Sequence, residues 1–238
     1  MKIVKLIIIL FISILSFSVY AVDKVDEISK AINKNDIKTV KELVEKGIDL
    51  ETYNKYGVTL LMTAVGIQNK EIVLYLLSKG AKVNGRSKDN NSTPLLEAAQ
   101  NGNYEIAKIL IDNGADIHKF VTTVNPIHDA ARNGNTKVVQ LLLNKGVDVN
   151  IKDKKGFTPL IWAAGSGKIE TTKLLIKYGA DVNAGEKGKT ALFYVKRNRG
   201  IKSESLPETY KKYEEIEKLL KEAGAKDVDM AKVIDDEM

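Results

Sequence analysis

Apolar residues recur at helical spacing in short segments along most of the chain, and each segment ends in a glycine. Segments such as EIAKILIDNG (105–114) and KVVQLLLNKG (137–146) place isoleucine, leucine and valine three or four positions apart, on one face of a helix. A final glycine favours a left-handed helix cap. These glycines are Gly47, Gly80, Gly114, Gly146, Gly179 and Gly224. Their interval of roughly 33 residues predicts a repeated helical unit.

A second pattern shares this period and predicts a shorter helix ahead of each segment. It reads VTLLMTA from Val58, STPLLEAA from Ser92, VNPIHDAA from Val124, FTPLIWAA from Phe157 and KTALFYV from Lys189. Threonine can cap such a helix through its hydroxyl, and proline is tolerated at its first position. Because one helix pair cannot bury its apolar faces alone, the pairs must stack. We therefore predict an all-α solenoid of helix-turn-helix units joined by β-hairpin-like loops.

Together the two patterns resemble the ankyrin repeat family, whose repeat joins TPLH-x-AA-xx-G to LL-xx-GADVN. The stretch TPLIWAAGSGKIETTKLLIKYGADVN (158–183) follows this pattern almost throughout, and the resemblance extends over about 25–225. It implies one ankyrin repeat domain at 22–238 with about six repeats, the first and last acting as caps. The repeats are placed at about 23–52, 56–85, 90–119, 123–152, 155–184 and 188–227.

The last repeat departs from the pattern by an insertion of about 12 residues within 196–215. Its second helix is predicted to begin at Ser205, because Glu208 stands three residues further on, as in a capping box. The basic residues before it are then expected in an exposed loop, either as a solvated insertion or as a binding element. They are Lys196, Arg197, Arg199 and Lys202.

The N-terminal segment has the order of a secretory signal peptide. Lys2 and Lys5 precede an uncharged run at 6–19, and small Val19 and Ala21 surround Tyr20. We predict cleavage after Ala21, with an uncleaved membrane anchor as the alternative. The mature protein is then periplasmic or secreted and has no further membrane contact.

Charge and composition narrow the partners further. Removing Lys2 and Lys5 from 37 basic against 31 acidic residues leaves 35 against 31, a net charge of about +4, too mild for nucleic-acid binding. The chain has no cysteine, which excludes disulfides and thiolate metal sites. An export signal without a cysteine framework favours a bacterial source, and we expect a monomer.

One stretch imitates a nucleotide-binding loop. AAGSGKIETTK (163–173) offers glycines, a lysine and hydroxyls, but Trp162 stands where the first glycine of a P-loop belongs and Ile169 follows Lys168. The stretch has the same register as AAQNGNYE (98–105) and AARNGNTK (130–137). We therefore interpret it as the turn between two helices.

No group of residues in the sequence indicates a catalytic, metal-binding or cofactor-binding site. His128 falls at the histidine of the TPLH pattern, where the resemblance implies a structural, hydrogen-bonded side chain, and His118 falls in a loop. Aspartates in the GADVN-type loops are expected to bond neighbouring backbone N–H groups. These are Asp116, Asp148 and Asp181. The chain shows no GxSxG elbow and no zinc-ligand spacing, so it is predicted not to be an enzyme.

The remaining functional hypothesis is protein binding. In the family, partners contact the hairpin tips and the exposed side of the first helices, so the resemblance implies a non-catalytic protein-binding module. An alternative is an inhibitor or protective modulator of one enzyme in the same compartment. Tyr56, Val58, Val124 and Phe157 are predicted as apolar anchors, or alternatively as packing against the adjacent hairpin. Trp162 is predicted as a packing residue, or alternatively as a binding hot spot. The candidate partner-binding residues are Lys55, Tyr56, Val58, Asp89, Asn90, Thr122, Val124, Lys154, Lys155 and Phe157.

Overall fold

The computed structural model describes residues 24–118, 125–202, 207–227 and Val233, and in these ranges the chain is helical. They contain no strand, only an isolated antiparallel bridge between Tyr53 and Thr59. The all-α prediction is therefore confirmed. The helices are α1 (24–33), α2 (Ile37–Glu45), α3 (Leu60–Gly66), α4 (Lys70–Ser78), α5 (Pro94–Asn101), α6 (Tyr104–Asp112), α7 (Pro126–Asn133), α8 (Thr136–Asn144), α9 (Pro159–Gly165), α10 (Ile169–Lys177), α11 (Ala191–Lys202) and α12 (Pro207–Glu222).

Two compact units divide the chain between Pro94 and Leu95. In the first unit, α1 to α4 form two antiparallel pairs whose apolar faces are buried, including Ile32, Val40 and Leu76 at 0% exposure. The pairs are joined at their turns, where the Asn69 side-chain amide donates to Asn35 Oδ1 at 2.8 Å. Identical residues at equivalent turns therefore bond to each other.

The second unit stacks α5 to α12, with α9 packed between α7 and α11. Alanines line this packing, and Ala130, Ala163 and Ala164 are fully buried. Small side chains allow helix axes to approach closely, at the short end of the usual 8–10 Å. The paired alanines of the repeat are thus what brings successive first helices together.

The ends of the helices follow the predicted signals. Thr59 Oγ1 and Thr158 Oγ1 accept hydrogen bonds from the backbone N–H groups of Met62 and Ile161, and Pro159 opens α9. The terminal glycines are left-handed, with φ between +83° at Gly47 and +94° at Gly146. A Cβ at these positions would meet no atom, so glycine is required for its backbone conformation and not for space.

The turn between the two helices of a pair also contacts the next pair. Gly134 has φ +80°, and a Cβ there would lie 2.9 Å from Cδ of Lys168. A Cβ on Gly102 would lie closer still, 2.5 Å from Oδ1 of Asn135, whose side-chain amide donates to the Ala99 carbonyl at 2.7 Å. Lys168 thus lies at the turn between α9 and α10, as the register predicted.

The basic insertion differs from the sequence prediction. The helix α11 continues to Lys202 and contains Lys196, Arg197, Arg199 and Lys202. Lys196 forms an ion pair with Asp227 at 2.7 Å. Arg199 forms one at 2.6 Å with Glu217, a buried residue of α12. The prediction of a loop is wrong for these residues, which are helical, and the prediction of exposure holds for Arg197 but not for the half-buried Lys196 and Arg199. The proposed cap at Ser205 lies outside the described residues.

The loops after the second helices match their prediction. Asp116, Asp148 and Asp181 each accept a backbone hydrogen bond from the residue two positions on, at 2.9 to 3.0 Å. His118 is the donor to Asp116 and is itself exposed. These carboxylates stabilise the loops.

Candidate protein-binding surface

The first tip loop, Asn54–Val58, precedes α3 and is held by a single buried side chain. Asn54 Oδ1 accepts from the backbone N–H groups of Tyr56 and Val58, at 2.9 and 3.3 Å. The Asn54 amide donates to Thr63 Oγ1 of α3 at 3.2 Å, and the Asn54 N–H donates to the Val58 carbonyl. The loop backbone is therefore fixed to the helix below it.

The second tip loop, Ser87–Ser92, uses hydroxyl groups for the same purpose. Ser87 Oγ donates to Asn90 Oδ1 at 2.5 Å, and the Ser92 N–H is shared between both side chains. The Lys88 N–H donates to the Gly57 carbonyl at 2.8 Å, which connects this loop to the first tip loop. The Asn90 side chain is thus occupied within its own loop, although the residue is exposed.

The third tip loop, Asp153–Phe157, is built around a buried carboxylate. Asp153 Oδ1 accepts from the N–H groups of Lys155 and Phe157 at 2.8 and 2.9 Å, and Oδ2 accepts from Trp162 Nε1 of α9 at 3.0 Å. Charge-assisted hydrogen bonds of this kind are stronger than neutral ones. Asp153 therefore fixes the loop and the indole ring together.

Most of the predicted tip residues reach solvent where the structure describes them. Lys55, Asp89, Lys154 and Lys155 are exposed, and Tyr56 is 66% exposed. Val58 is half-buried. Thr122 and Val124 lie outside the described residues.

Phe157 differs from the exposed anchor expected at this position. It is half-buried, and its ring centroid lies 5.7 Å from that of Trp162 and 5.3 Å from that of Tyr194, both edge-on. Edge-to-face contacts of this length are favourable. The alternative interpretation, in which Phe157 packs on its neighbours, agrees with this geometry, and Trp162 is likewise a packing residue.

Sequence reasoning missed three of the residues that organise this region: Asp153, Tyr194 and Lys88. The Arg132 guanidinium lies 5.7 Å from the Trp162 ring, and Lys88 Nζ lies 4.7 Å from the Tyr53 ring. These two cation–π pairs have no sequence signature within one repeat, because their partners come from different repeats. Only the register of aromatic and basic positions across repeats could have indicated them.

His128 is a structural residue, as predicted. It is fully buried, its Nδ1 accepts from the Asn125 N–H at 3.2 Å and its Nε2 lies 3.1 Å from the Ile151 carbonyl oxygen. This arrangement requires the neutral ring with its proton on Nε2, because a carbonyl can only accept. Burial is the main cause that lowers the pKa of His128, so the ring stays neutral near pH 7.

The described ranges contain no group of three or more histidine, aspartate or glutamate residues arranged to hold a metal ion. Among the helices that can be described, none combines the length and apolar character needed to cross a membrane.

The geometry defines a class of protein: a helical repeat scaffold whose stacked pairs present fixed loops and the surfaces of their first helices. A sequence model described as "Ankyrin repeats (3 copies)" matches residues 28–120 and 127–204. This chain therefore belongs to the ankyrin repeat family.

Similar proteins support the same assignment. The crystal structure of the human ASB11 ankyrin repeat domain superposes with a TM-score of 0.72 and 25% identity, covering 84% of each chain. The Caenorhabditis elegans "Ankyrin repeat and KH domain-containing protein mask-1" is 40% identical over 95 residues, 38% of this chain and 4% of that protein. Human "Palmitoyltransferase ZDHHC13" is 37% identical over 90 residues, 38% of this chain and 14% of that protein.

These relatives are much longer than the segments they share with this chain, which align to 4% and 14% of their lengths. The shared feature is the repeat fold, and ankyrin repeats are typically non-catalytic scaffolds that bind other proteins. The match to a palmitoyltransferase therefore supports a shared repeat fold and does not extend to acyl transfer.

Proposed function

We propose that this chain is an exported protein-binding module without catalytic activity, which binds a partner protein through its tip loops and the neighbouring surface of the first helices. The observation that carries the proposal is the construction of the tip loops. Asn54 and Asp153 fix the loop backbones from beneath, while Tyr56, Lys154 and Lys155 project into solvent. Loops that are ordered before binding lose less conformational entropy on association.

The chemistry of these tips suggests the kind of partner. The first tip loop displays a tyrosine with Lys55 Nζ 5.0 Å from its ring, and the third displays two adjacent lysines. An amphipathic ring beside a cation suits an apolar contact with an acidic rim. The partner we propose presents an apolar contact with an acidic rim, and its binding weakens as salt rises.

Capture of a partner tests the proposal. The tagged protein, expressed with its N-terminal segment and recovered from the exported fraction, is used to isolate bound proteins, and the affinity of the main one is then measured. Tyr56→Ala is expected to weaken binding by about 1–3 kcal/mol, with helical content and melting unchanged. Lys108→Ala and Gln140→Ala, on the second helices, are the controls. Loss of binding in these controls with full binding by Tyr56→Ala would refute the tip-loop surface.

The captured protein also decides between a scaffold and the alternative, an enzyme modulator. Several partners fit a scaffold, whereas one dominant enzyme whose rate changes on mixing fits an inhibitor or protective modulator.

Export to the periplasm or beyond is part of the same proposal and is supported by the order of basic, apolar and small residues at 1–21. N-terminal sequencing of the recovered protein is expected to begin at Val22. An intact Met1 in a membrane pellet would instead favour an anchor.

A further inference from the structure

Three consecutive first helices of the second unit bring equivalent residues into one row. The members of the row are Arg132, Gly165 and Arg197. Each lies seven positions after the residue just before its helix, which is Asn125 for α7, Thr158 for α9 and Thr190 for α11. Because α9 packs against both α7 and α11, these positions are neighbours across the stack. We call this set the arginine row.

Both arginines of the row are exposed, and within the described ranges neither forms an ion pair. Lys196 and Arg199 lie on the same helix as Arg197, but they form ion pairs with Asp227 and Glu217.

The carboxylates closest in sequence register to the row are already engaged. Asp129, one turn before Arg132, is buried and accepts from Gln100 Nε2 at 2.9 Å. Asp153 is buried beneath Trp162. Both guanidinium groups therefore keep donors for a ligand from outside, and guanidinium binds carboxylates in bidentate geometry.

The surface beside the two arginines is aromatic. Trp162 and Tyr194 stand one turn before Gly165 and Arg197, and Phe157 holds both rings from the tip-loop side. Gly165 adds no side chain between the arginines, and a Cβ there would lie 3.3 Å from Cβ of Tyr194. The centre of the row is thus a position without a side chain, flanked by two positive charges, and its carbonyl already accepts hydrogen bonds from Asn198 and Tyr213.

We propose that the arginine row binds an extended acidic segment of the partner protein, with one carboxylate at Arg132, a second at Arg197 and an apolar side chain over Gly165. Packed helices lie about 8–10 Å apart, so the two arginines are separated by roughly 16–20 Å. An extended chain rises about 3.3 Å per residue, so acidic residues about five to six positions apart bridge them. This inference rests on the proposed function and names the chemistry of its partner.

A synthetic peptide tests the row directly. The probe is a labelled nonapeptide with two glutamates at each end, a central phenylalanine and glycine and serine between, and its control replaces every glutamate by glutamine. Titration by fluorescence anisotropy is expected to show at least about tenfold tighter binding of the acidic peptide, with a Kd that rises with salt.

Variants then assign the contacts. Arg132→Gln and Arg197→Gln are each expected to raise the Kd by at least about fivefold, whereas Lys137→Gln, which removes an exposed charge from α8, leaves it unchanged. Gly165→Ala adds one methyl group at the centre and is expected to raise the Kd, and because this methyl lies 3.3 Å from Cβ of Tyr194, the melting temperature is measured beside it to separate lost binding from altered packing.

The inference is overturned if the glutamate peptide does not bind, if the glutamine peptide binds equally, or if both arginine variants bind as tightly as the unmodified protein. A loss of binding confined to Lys154→Gln and Lys155→Gln would also overturn it, since the acidic ligand would then belong to the third tip loop. Partner capture that persists despite failure of the peptide leaves the proposed function standing, and the two failures are thereby distinguished.

Discussion

The first and third tip loops have the same turn but place their aromatic residues in opposite environments. In both loops a side chain at the first position, Asn54 or Asp153, accepts from the backbone N–H groups of the third and fifth residues. The aromatic residue of the first loop is its third, Tyr56, which is 66% exposed. In the third loop it is the fifth, Phe157, which packs on Trp162 and Tyr194.

Position within the turn, and not residue type, therefore decides what a tip residue can do. The third position of both loops is exposed, as Tyr56 and Lys155 show, and the fifth is half-buried in both, as Val58 and Phe157 show. Contacts with a partner are expected at the third position and contacts with the scaffold at the fifth.

The largest expected effect removes the packing beneath the third tip loop. Ala164 is fully buried in α9, and Ala164→Glu forces a carboxylate between packed helices without a partner. We expect a loss of more than about 3 kcal/mol of unfolding free energy, measured by urea denaturation followed by circular dichroism. Ser166→Glu, in the half-buried turn after α9, is the control, and equal losses in both variants would contradict the packing argument.

Replacing the aromatic residue of each loop by alanine tests whether its position in the turn determines its role. Phe157→Ala removes contacts with two rings and is expected to cost about 2 kcal/mol of stability, whereas Tyr56→Ala is expected to cost less than about 0.5 kcal/mol. Thermal and urea unfolding give both values. Similar costs for the two variants would show that the turn position does not separate the two roles.

A pH titration distinguishes the base of the third tip loop from that of the first. His128 of α7 bonds the Ile151 carbonyl just ahead of the third loop, whereas α1, the first helix of the repeat ahead of the first loop, contains no histidine. Because burial lowers the pKa of His128 in the folded protein, the unfolded chain binds a proton first as pH falls. The stabilisation is therefore complete above about pH 6.5 and is lost as pH falls from there through the lowered folded-state pKa.

Urea unfolding between pH 7.5 and pH 5 measures this loss. In the variant His128→Asn we expect lower stability at neutral pH and a shallower dependence on pH. An unchanged dependence would assign the acid sensitivity to other groups.

The smallest expected effect concerns a lysine outside the tips. Lys168 packs its side chain along Gly134 at a turn, so Lys168→Ala is expected to cost at most about 0.5 kcal/mol and to leave partner affinity unchanged. Isothermal titration with ATP is expected to show no binding before or after the substitution. ATP binding that disappears in the variant would restore the nucleotide-loop interpretation.

The parts of the fold that sequence predicted are those encoded within one repeat. Glycine caps, the Thr158 cap, the loop aspartates and the turn at Lys168 depend on residues a few positions apart, so the pattern of a single repeat is sufficient. His128 belongs to the same group, because its bond to Asn125 spans three positions.

The parts that sequence did not predict depend on residues from different repeats. The course of α11 is set partly by Glu217, which is eighteen positions away from Arg199 and forms its ion pair. Phe157 is half-buried and packs on Tyr194, which the register alone does not place against it. Contacts of this kind follow from how the last repeat is stacked, and its insertion removed the regular spacing that would have indicated them.

The turn glycines Gly102 and Gly134 each pack closely against the residue just before the second helix of the next repeat. This packing limits how such a chain can change length during evolution. Gly102 is fitted to Asn135 and Gly134 to Lys168, so each contact spans one full period. Duplication or deletion of a whole repeat supplies every new glycine with a neighbour of the same kind, whereas an in-frame change of half a period places a glycine against a helix face. Gene rearrangements that survive are therefore expected to occur in whole periods.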